Sequence, residues 1–175
     1  MHQALLQAAA GDRDAFAQIV REHASMVFSI GYHCLRDQGV AEELSQEVFL
    51  ELFRRLDDIE SPAHLVFWLR KVATHRSIDY SRRKEQRNRP LDELPEPAVQ
   101  PAVRDPLLSG ALEKLVRSLP ETPRAIVTLR YQEDMPLAEI ATALQIPLNT
   151  VKSHLQRALL ILRQKLERRL GEVSV

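Results

Sequence analysis

Between residues 90 and 106 the chain carries five of its ten prolines, Pro90, Pro95, Pro97, Pro101 and Pro106, among acidic and small residues with no hydrophobic period. Proline lacks a backbone N–H and fixes φ near about −65°, so neither a helix interior nor a central strand runs through such a stretch. It reads as a linker, and it confines the fold to two lobes, one on each side. With 175 residues in all and a composition 45% hydrophobic, each lobe is small but has enough apolar side chains for a core.

Both lobes carry apolar residues at helical spacing, and no alternating strand pattern appears. "DRDAFAQIV" opens a helix with Asp12 as N-cap that runs to about Arg36, and Asp37 to Gly39 are expected to form a turn. Its apolar stripe is Phe16, Ile19, Val20, His23, Val27, Ile30 and Cys34. Cys34, the one cysteine, excludes an internal disulfide and reads as a buried structural thiol. "VAEELSQEVFLELFRRL" places Leu44, Val48 and Leu52, and Phe49, Phe53 and Leu56, at helical spacing. "SPAHLVFWLRKVATHRSIDYSRRKEQR" begins with Ser61 as N-cap and Pro62 at the first helical position. Beyond the linker, "SGALEKLVRSL" and "ETPRAIVTLRYQ" precede two more helices. The expected fold is all-α, with two helical domains over residues 1–89 and 111–175 joined by a Pro-rich linker over 90–110.

The formal net charge is zero, from 24 basic and 24 acidic residues, but its distribution is uneven. Residues 1–60 hold 5 basic and 11 acidic side chains, residues 61–91 hold 8 and 2, and residues 152–170 hold 6 and 1. Because the Debye length is about 8 Å at physiological salt, distant patches barely cancel. One anionic and two cationic stretches can each meet a separate partner. No apolar run approaches the roughly 20 residues of a membrane-spanning helix, and Met1 to Ala10 lacks the basic flank and cleavage site of an export signal, so a cytoplasmic location is expected. The six histidines are scattered, and no nucleophile, base or metal-ligand cluster is visible. No catalysis, cofactor or metal is expected.

"PLAEIATALQIPLNTVKSHLQRAL" has the spacing of a helix-turn-helix. Leu137, Ile140, Ala141 and Leu144 are expected to form one face of its first helix, Gln145 to Leu148 the turn with Ile146 tucked inward, and Val151, Leu155, Ala158 and Leu162 the inner face of the second helix. At about 100° per residue, Asn149, Ser153, Gln156 and Arg157 then point outward, with Lys152 and His154 on the flanks. This face has no acidic residue, and arginine and glutamine are the side chains that pair bidentately with guanine and adenine. A helical hairpin whose outer face is merely solvated is the other reading of the same pattern.

Taken together, these segments resemble the extracytoplasmic-function (ECF) sigma factors, a compact class of the sigma-70 family that keeps the second and fourth conserved regions. "GDRDAFAQIVREHASMVFSIGYHCLRD", "AEELSQEVFLELFRRL" and "FWLRKVATHRSIDYSRRK" resemble successive parts of region two. "LEKLVRSLPETPRAIVTLRYQEDMPLAEIATALQIPLNTVKSHLQRAL" resembles region four. The resemblance implies that the helix 43–56 docks on the clamp helices of the largest RNA polymerase subunit, through Glu43, Gln46, Glu47 and Glu51. It implies that Phe67, Lys71, His75, Arg76, Arg82 and Arg83 face the −10 element, where cations track the melted strand and an aromatic residue stacks on bases. On this reading Phe67 is an exposed stacking residue, while Trp68 belongs to the core with Leu65, Leu69 and Val72. It also implies that Asn149, Thr150, Lys152, Ser153, Gln156 and Arg157 read the −35 element.

Two positions depart from the family pattern. His75 stands where asparagine is common, which puts base capture there in question. Gln145 stands where glycine is common, so it must either take a left-handed conformation or reshape the turn. A further cluster, Leu159, Leu160 and Ile161, lies away from the inner face and is expected to dock a partner, for which the resemblance offers the flap of the second-largest polymerase subunit or an anti-sigma factor; the other reading is that the helices around "AIVTLRY" wrap and bury all three. A LuxR-like regulator shares the helix-turn-helix pattern but predicts an α/β domain upstream, and a helical interaction module that never meets DNA predicts no use for the acid-free face.

Overall fold

The computed structural model describes residues 1–87 and 106–173, with side chains described over 1–83 and 112–168. All regular structure among the described residues is helical: α1 (His2–Ala9), α2 (Arg13–Leu35), α3 (Gln38–Arg54), α4 (Pro62–Arg87), α5 (Pro106–Arg117), α6 (Glu121–Tyr131), α7 (Leu137–Leu144) and α8 (Leu148–Val173). One short 3-10 turn, Leu56–Asp58, follows α3. Contacts divide the chain into two units, Met1–Arg82 and Arg83–Val175. The proline-rich stretch expected as a linker lies mostly outside the described residues, and α5 begins at Pro106, ahead of the expected start of the second domain at residue 111.

Caps set the boundaries of the first unit. Asp12 accepts the N–H groups of Asp14 at 2.9 Å and Ala15 at 3.1 Å and so starts α2, a contribution of about 1 kcal/mol for such a cap. Arg36 ends that helix in the left-handed region with φ 65. The expected turn over Asp37 to Gly39 is shorter than predicted. Asp37 is itself the N-cap of α3, accepting from Val40 N–H at 3.1 Å, and Gly39 already lies inside the helix. Ser61 caps α4 by accepting from His64 N–H at 3.1 Å, and His64 Nδ1 accepts in return from Glu60 N–H at 3.3 Å.

The first core is built from Ile19, Val27 and Ile30 of α2, Leu44, Val48 and Leu52 of α3, and Leu65, Leu69 and Ala73 of α4. Cys34 is buried beside them, as the stripe predicts. The glycine at position 31 lets α2 and α3 approach closely, since a Cβ there would already stand 3.4 Å from the Ala41 Cβ and the Leu44 Cδ2. α1, which the sequence did not announce, covers this core with Ala4, Leu5 and Ala8.

In the second unit α6 is the central helix: Arg124, Ala125, Ile126, Val127, Thr128 and Leu129 are buried in succession, which covers every side of the helix. α5, α7 and α8 pack around it. Lys165 Nζ on α8 donates to Ser118 Oγ, at the end of α5, over 2.5 Å.

Candidate nucleic-acid interface and docking face

The turn between α7 and α8 fixes how the second helix is presented. Gln145 adopts the left-handed conformation, φ 56 and ψ 39, so the turn is kept and the side chain bears the strain. Ile146 N–H donates to Ala141 O at 3.1 Å and Gln145 N–H to Thr142 O at 3.3 Å, which satisfies two end carbonyls of α7. Burial on α7 falls on Ile140, Ala143 and Leu144, with Leu137 and Ala141 half-buried. The inner face is therefore turned one residue further round than the predicted set.

On α8 the inner face is as expected, with Val151, Leu155, Ala158 and Leu162 all buried. That phase turns Asn149, Lys152, Ser153, Gln156 and Arg157 out into solvent and leaves Thr150 and His154 half-buried. Ser153 Oγ donates to Asn149 O at 2.9 Å, so its hydroxyl proton is engaged and its lone pairs face outward as acceptors. No carboxylate occurs between Leu148 and Leu166. The face thus offers two cations, two amides and one acceptor hydroxyl, with nothing to repel a phosphate.

The acidic face is on α3. Glu43, Gln46 and Glu47 are exposed and Glu51 is half-buried. Arg76 of α4 reaches across to them: its Nη2 donates to Glu51 Oε2 at 2.7 Å, its Nε to the same oxygen at 3.2 Å, and its Nη1 to Glu47 Oε2. Arg55 adds a looser contact to Glu51 at 3.7 Å. Two apolar side chains that sequence reasoning did not assign to this surface also lie open, Leu50 at 58% and Phe53 at 53% exposure. Phe53 was expected beside Phe49 and Leu56, which are buried; instead its ring meets Phe16 edge-on at 5.1 Å and leaves its other side to water. Leu50 was legible in principle, because it falls four residues after Gln46 on the outward phase.

The six candidates on α4 do not share one face. Counting from Phe67 at about 100° per residue, Lys71, His75 and Arg82 lie within about 80° of it, whereas Arg76 and Arg83 lie toward the opposite side. Phe67, Lys71 and His75 are half-buried, Arg82 and Arg83 are exposed, and Arg76 is bound to α3. Trp68 and Val72 sit half-buried at the edge of the fully buried Leu65 and Leu69 stripe. Further along the chain, Leu160 is 56% and Leu159 40% exposed, with Ile161 half-buried, so packing of α6 on α8 does not cover the aliphatic cluster.

Known proteins are similar to this chain along nearly its whole length. Residues 19–87 match the family model for sigma-70 region 2, and residues 109–162 match that for sigma-70 region 4. The ECF RNA polymerase sigma factor SigW of Bacillus subtilis is 29% identical over 175 residues, covering 89% of this chain and 91% of its own. The ECF RNA polymerase sigma factor SigK of Mycobacterium tuberculosis is 30% identical over 173 residues, covering 94% and 92%. Among solved structures, the sigma factor RpoE of Bartonella quintana, crystallised with the anti-sigma factor NepR, is similar in fold with a TM-score of 0.73 at 19% identity, over 87% of this chain and 96% of that one.

Proposed function

Because the chain belongs to the ECF class of the sigma-70 family of RNA polymerase sigma factors, we propose that it binds core polymerase, recognises the −35 and −10 elements of its promoters and promotes strand opening. Like other sigma factors it acts as a transcription regulator and not as an enzyme. The observation that carries this reading is the exposed, acid-free face of α8 from Asn149 to Arg157, held at a fixed angle by the left-handed turn at Gln145. Arg157 and Gln156 serve as base readers of the −35 element, Lys152 as a phosphate contact, and Asn149, Thr150 and Ser153 as the adjoining polar contacts.

Division of labour follows the charge. Residues 1–89 form the unit that docks and opens, residues 90–110 the connection and residues 111–175 the −35 reader. Glu43, Gln46, Glu47 and Glu51 face the clamp helices of the largest polymerase subunit, with Leu50 and Phe53 supplying apolar area at the centre of that contact. Phe67, Lys71, His75, Arg82 and Arg83 face the melted −10 strand. The aliphatic cluster at Leu159 and Leu160 takes the flap of the second-largest subunit or an anti-sigma factor, which fits the relative solved with one. Action on promoter DNA places the protein in the cytoplasm, in keeping with the absence of a membrane-length apolar helix among the described residues.

The test is transcription by core polymerase with this protein on genomic fragments, with transcript starts mapped. The expected result is a set of starts that depend on the protein and share two upstream elements. Starts identical to those of core polymerase alone would refute the proposal.

A further inference from the structure

Arg76 points away from Phe67 and Lys71, and it spans two carboxylates of the docking helix. Its side chain is 37% exposed, against 51% for Glu47 and 27% for Glu51. The group is thus an open cluster at the surface, within reach of a partner's cations. Glu47, Leu50, Glu51, Arg54, Arg55 and Arg76 line one depression of about 470 Å³ at the seam between α3 and α4. A guanidinium holding Glu51 through two N–H groups and Glu47 through a third is satisfied in the way a partner's arginine would be.

Resting on the reading that α3 docks on a basic surface, we infer that Arg76 is an intramolecular stand-in for the partner's cation: it occupies the docking carboxylates in the free protein and is displaced when polymerase binds. The three side chains together carry a charge of −1, whereas the two carboxylates alone would carry −2. A cation approaching Glu47 or Glu51 meets the positive charge of Arg76 behind them, and like charges brought together at an interface oppose association. Arg76 therefore sets how strongly this chain competes for polymerase, and it does so without needing to touch DNA. Because the cluster is partly solvated, its hold is weak enough to be exchanged.

The experiment measures binding of the full chain to core polymerase for the wild type and for Arg76→Gln, Arg76→Lys and Glu47→Ala/Glu51→Ala, with melting temperatures taken alongside. Removing the charge in Arg76→Gln should tighten binding roughly two- to fivefold, the range of an exposed ion pair, and should speed association and steepen its salt dependence. Arg76→Lys keeps the charge and should bind like the wild type. In the Glu47→Ala/Glu51→Ala background, Arg76→Gln should give no gain. Arg76→Met, which keeps the aliphatic stem, gives the same reading if the glutamine variant melts early. Binding that is unchanged or weaker in both charge-removing variants overturns the inference, and equal weakening by lysine would make Arg76 a structural brace. A wild type that does not bind core polymerase at all refutes the functional reading itself.

Discussion

Leu160→Glu separates a docking role from a core role for the aliphatic cluster on α8. Leu160 is 56% exposed, so less than half of its side chain is shielded in the free protein. Full burial of a leucine stabilises by about 1.5–3 kcal/mol, and the change therefore costs about 0.7–1.3 kcal/mol of folding stability. The new carboxylate stands three residues from both Arg157 and Arg163, where each favourable pair returns about 0.2–0.5 kcal/mol. The net loss should stay near about 0.5 kcal/mol, a shift of about 2–4 °C in the melting of a unit this size. At an interface the balance differs. The exposed part of the leucine no longer contributes, and a carboxylate must be stripped of water. Together these cost at least about 2 kcal/mol, or roughly 30-fold in affinity. Circular dichroism melting and calorimetric titration against core polymerase and a cognate inhibitor give both numbers, and competition between the two partners shows whether they share the patch. A melting temperature lowered by more than about 10 °C would show Leu160 to be structural, and unaltered affinity for both partners would remove it from either interface.

Four further outcomes are expected. Arg157→Ala should cost about 1–3 kcal/mol at one −35 base pair while Lys152→Ala weakens all sequences alike, as read by binding to a panel of single-base promoter variants; a uniform loss for Arg157 would make it a backbone contact. Changing Gln46 to Ala and Glu47 to Lys should weaken core-polymerase binding while moving folding stability by less than about 0.5–1 kcal/mol, since both are exposed and the pair to Arg76 is a surface one. Gln145→Gly should stabilise the second unit by about 0.5–1 kcal/mol in denaturant titration, because relief of a left-handed residue outweighs the added freedom of glycine in the unfolded chain; a loss would mean that the Gln145 side chain holds the turn. Burial lowers the His23 imidazole below its ordinary 6.5, against a smaller upward pull from Glu22. The unfolded chain then takes up a proton that the folded one refuses, so stability should fall as pH drops below about 6.5, and His23→Gln should flatten that decline.

The helices with strong local signals were legible in the sequence. Asp12, Ser61 and Pro62 mark their starts by chemistry that acts within one turn, and the stripe of Val151, Leu155, Ala158 and Leu162 fixes the phase of α8 without any tertiary knowledge. α1 was missed because Met1 supplies no side-chain cap and the helix runs for only eight residues, too few turns for a periodic stripe to stand out. Gly39 was misplaced in a turn because an Asp-Gln-Gly stretch has that local preference, which packing of α3 on α2 overrides. Arg76 was grouped with the promoter face by the family resemblance and its charge, although its helical phase already set it apart from Phe67 and Lys71. Its partners, 25 and 29 residues away, arise only when two helices are brought together, which no local pattern encodes.

Leu160 stands four residues beyond Gln156 and three beyond Arg157, on the next turn of the same side of α8. Along the helix axis that is a step of only about 6 Å. A protein seated on Leu160 shades about 800 Å² of its host in an interface of ordinary size, far more than one turn of helix. Its footprint therefore falls across the two side chains proposed to read bases, and a promoter held there would block the same ground in return. A partner that must leave the DNA in place can reach Leu160 only from the C-terminal side of the helix. Approach from any other direction shuts the promoter out by bulk alone.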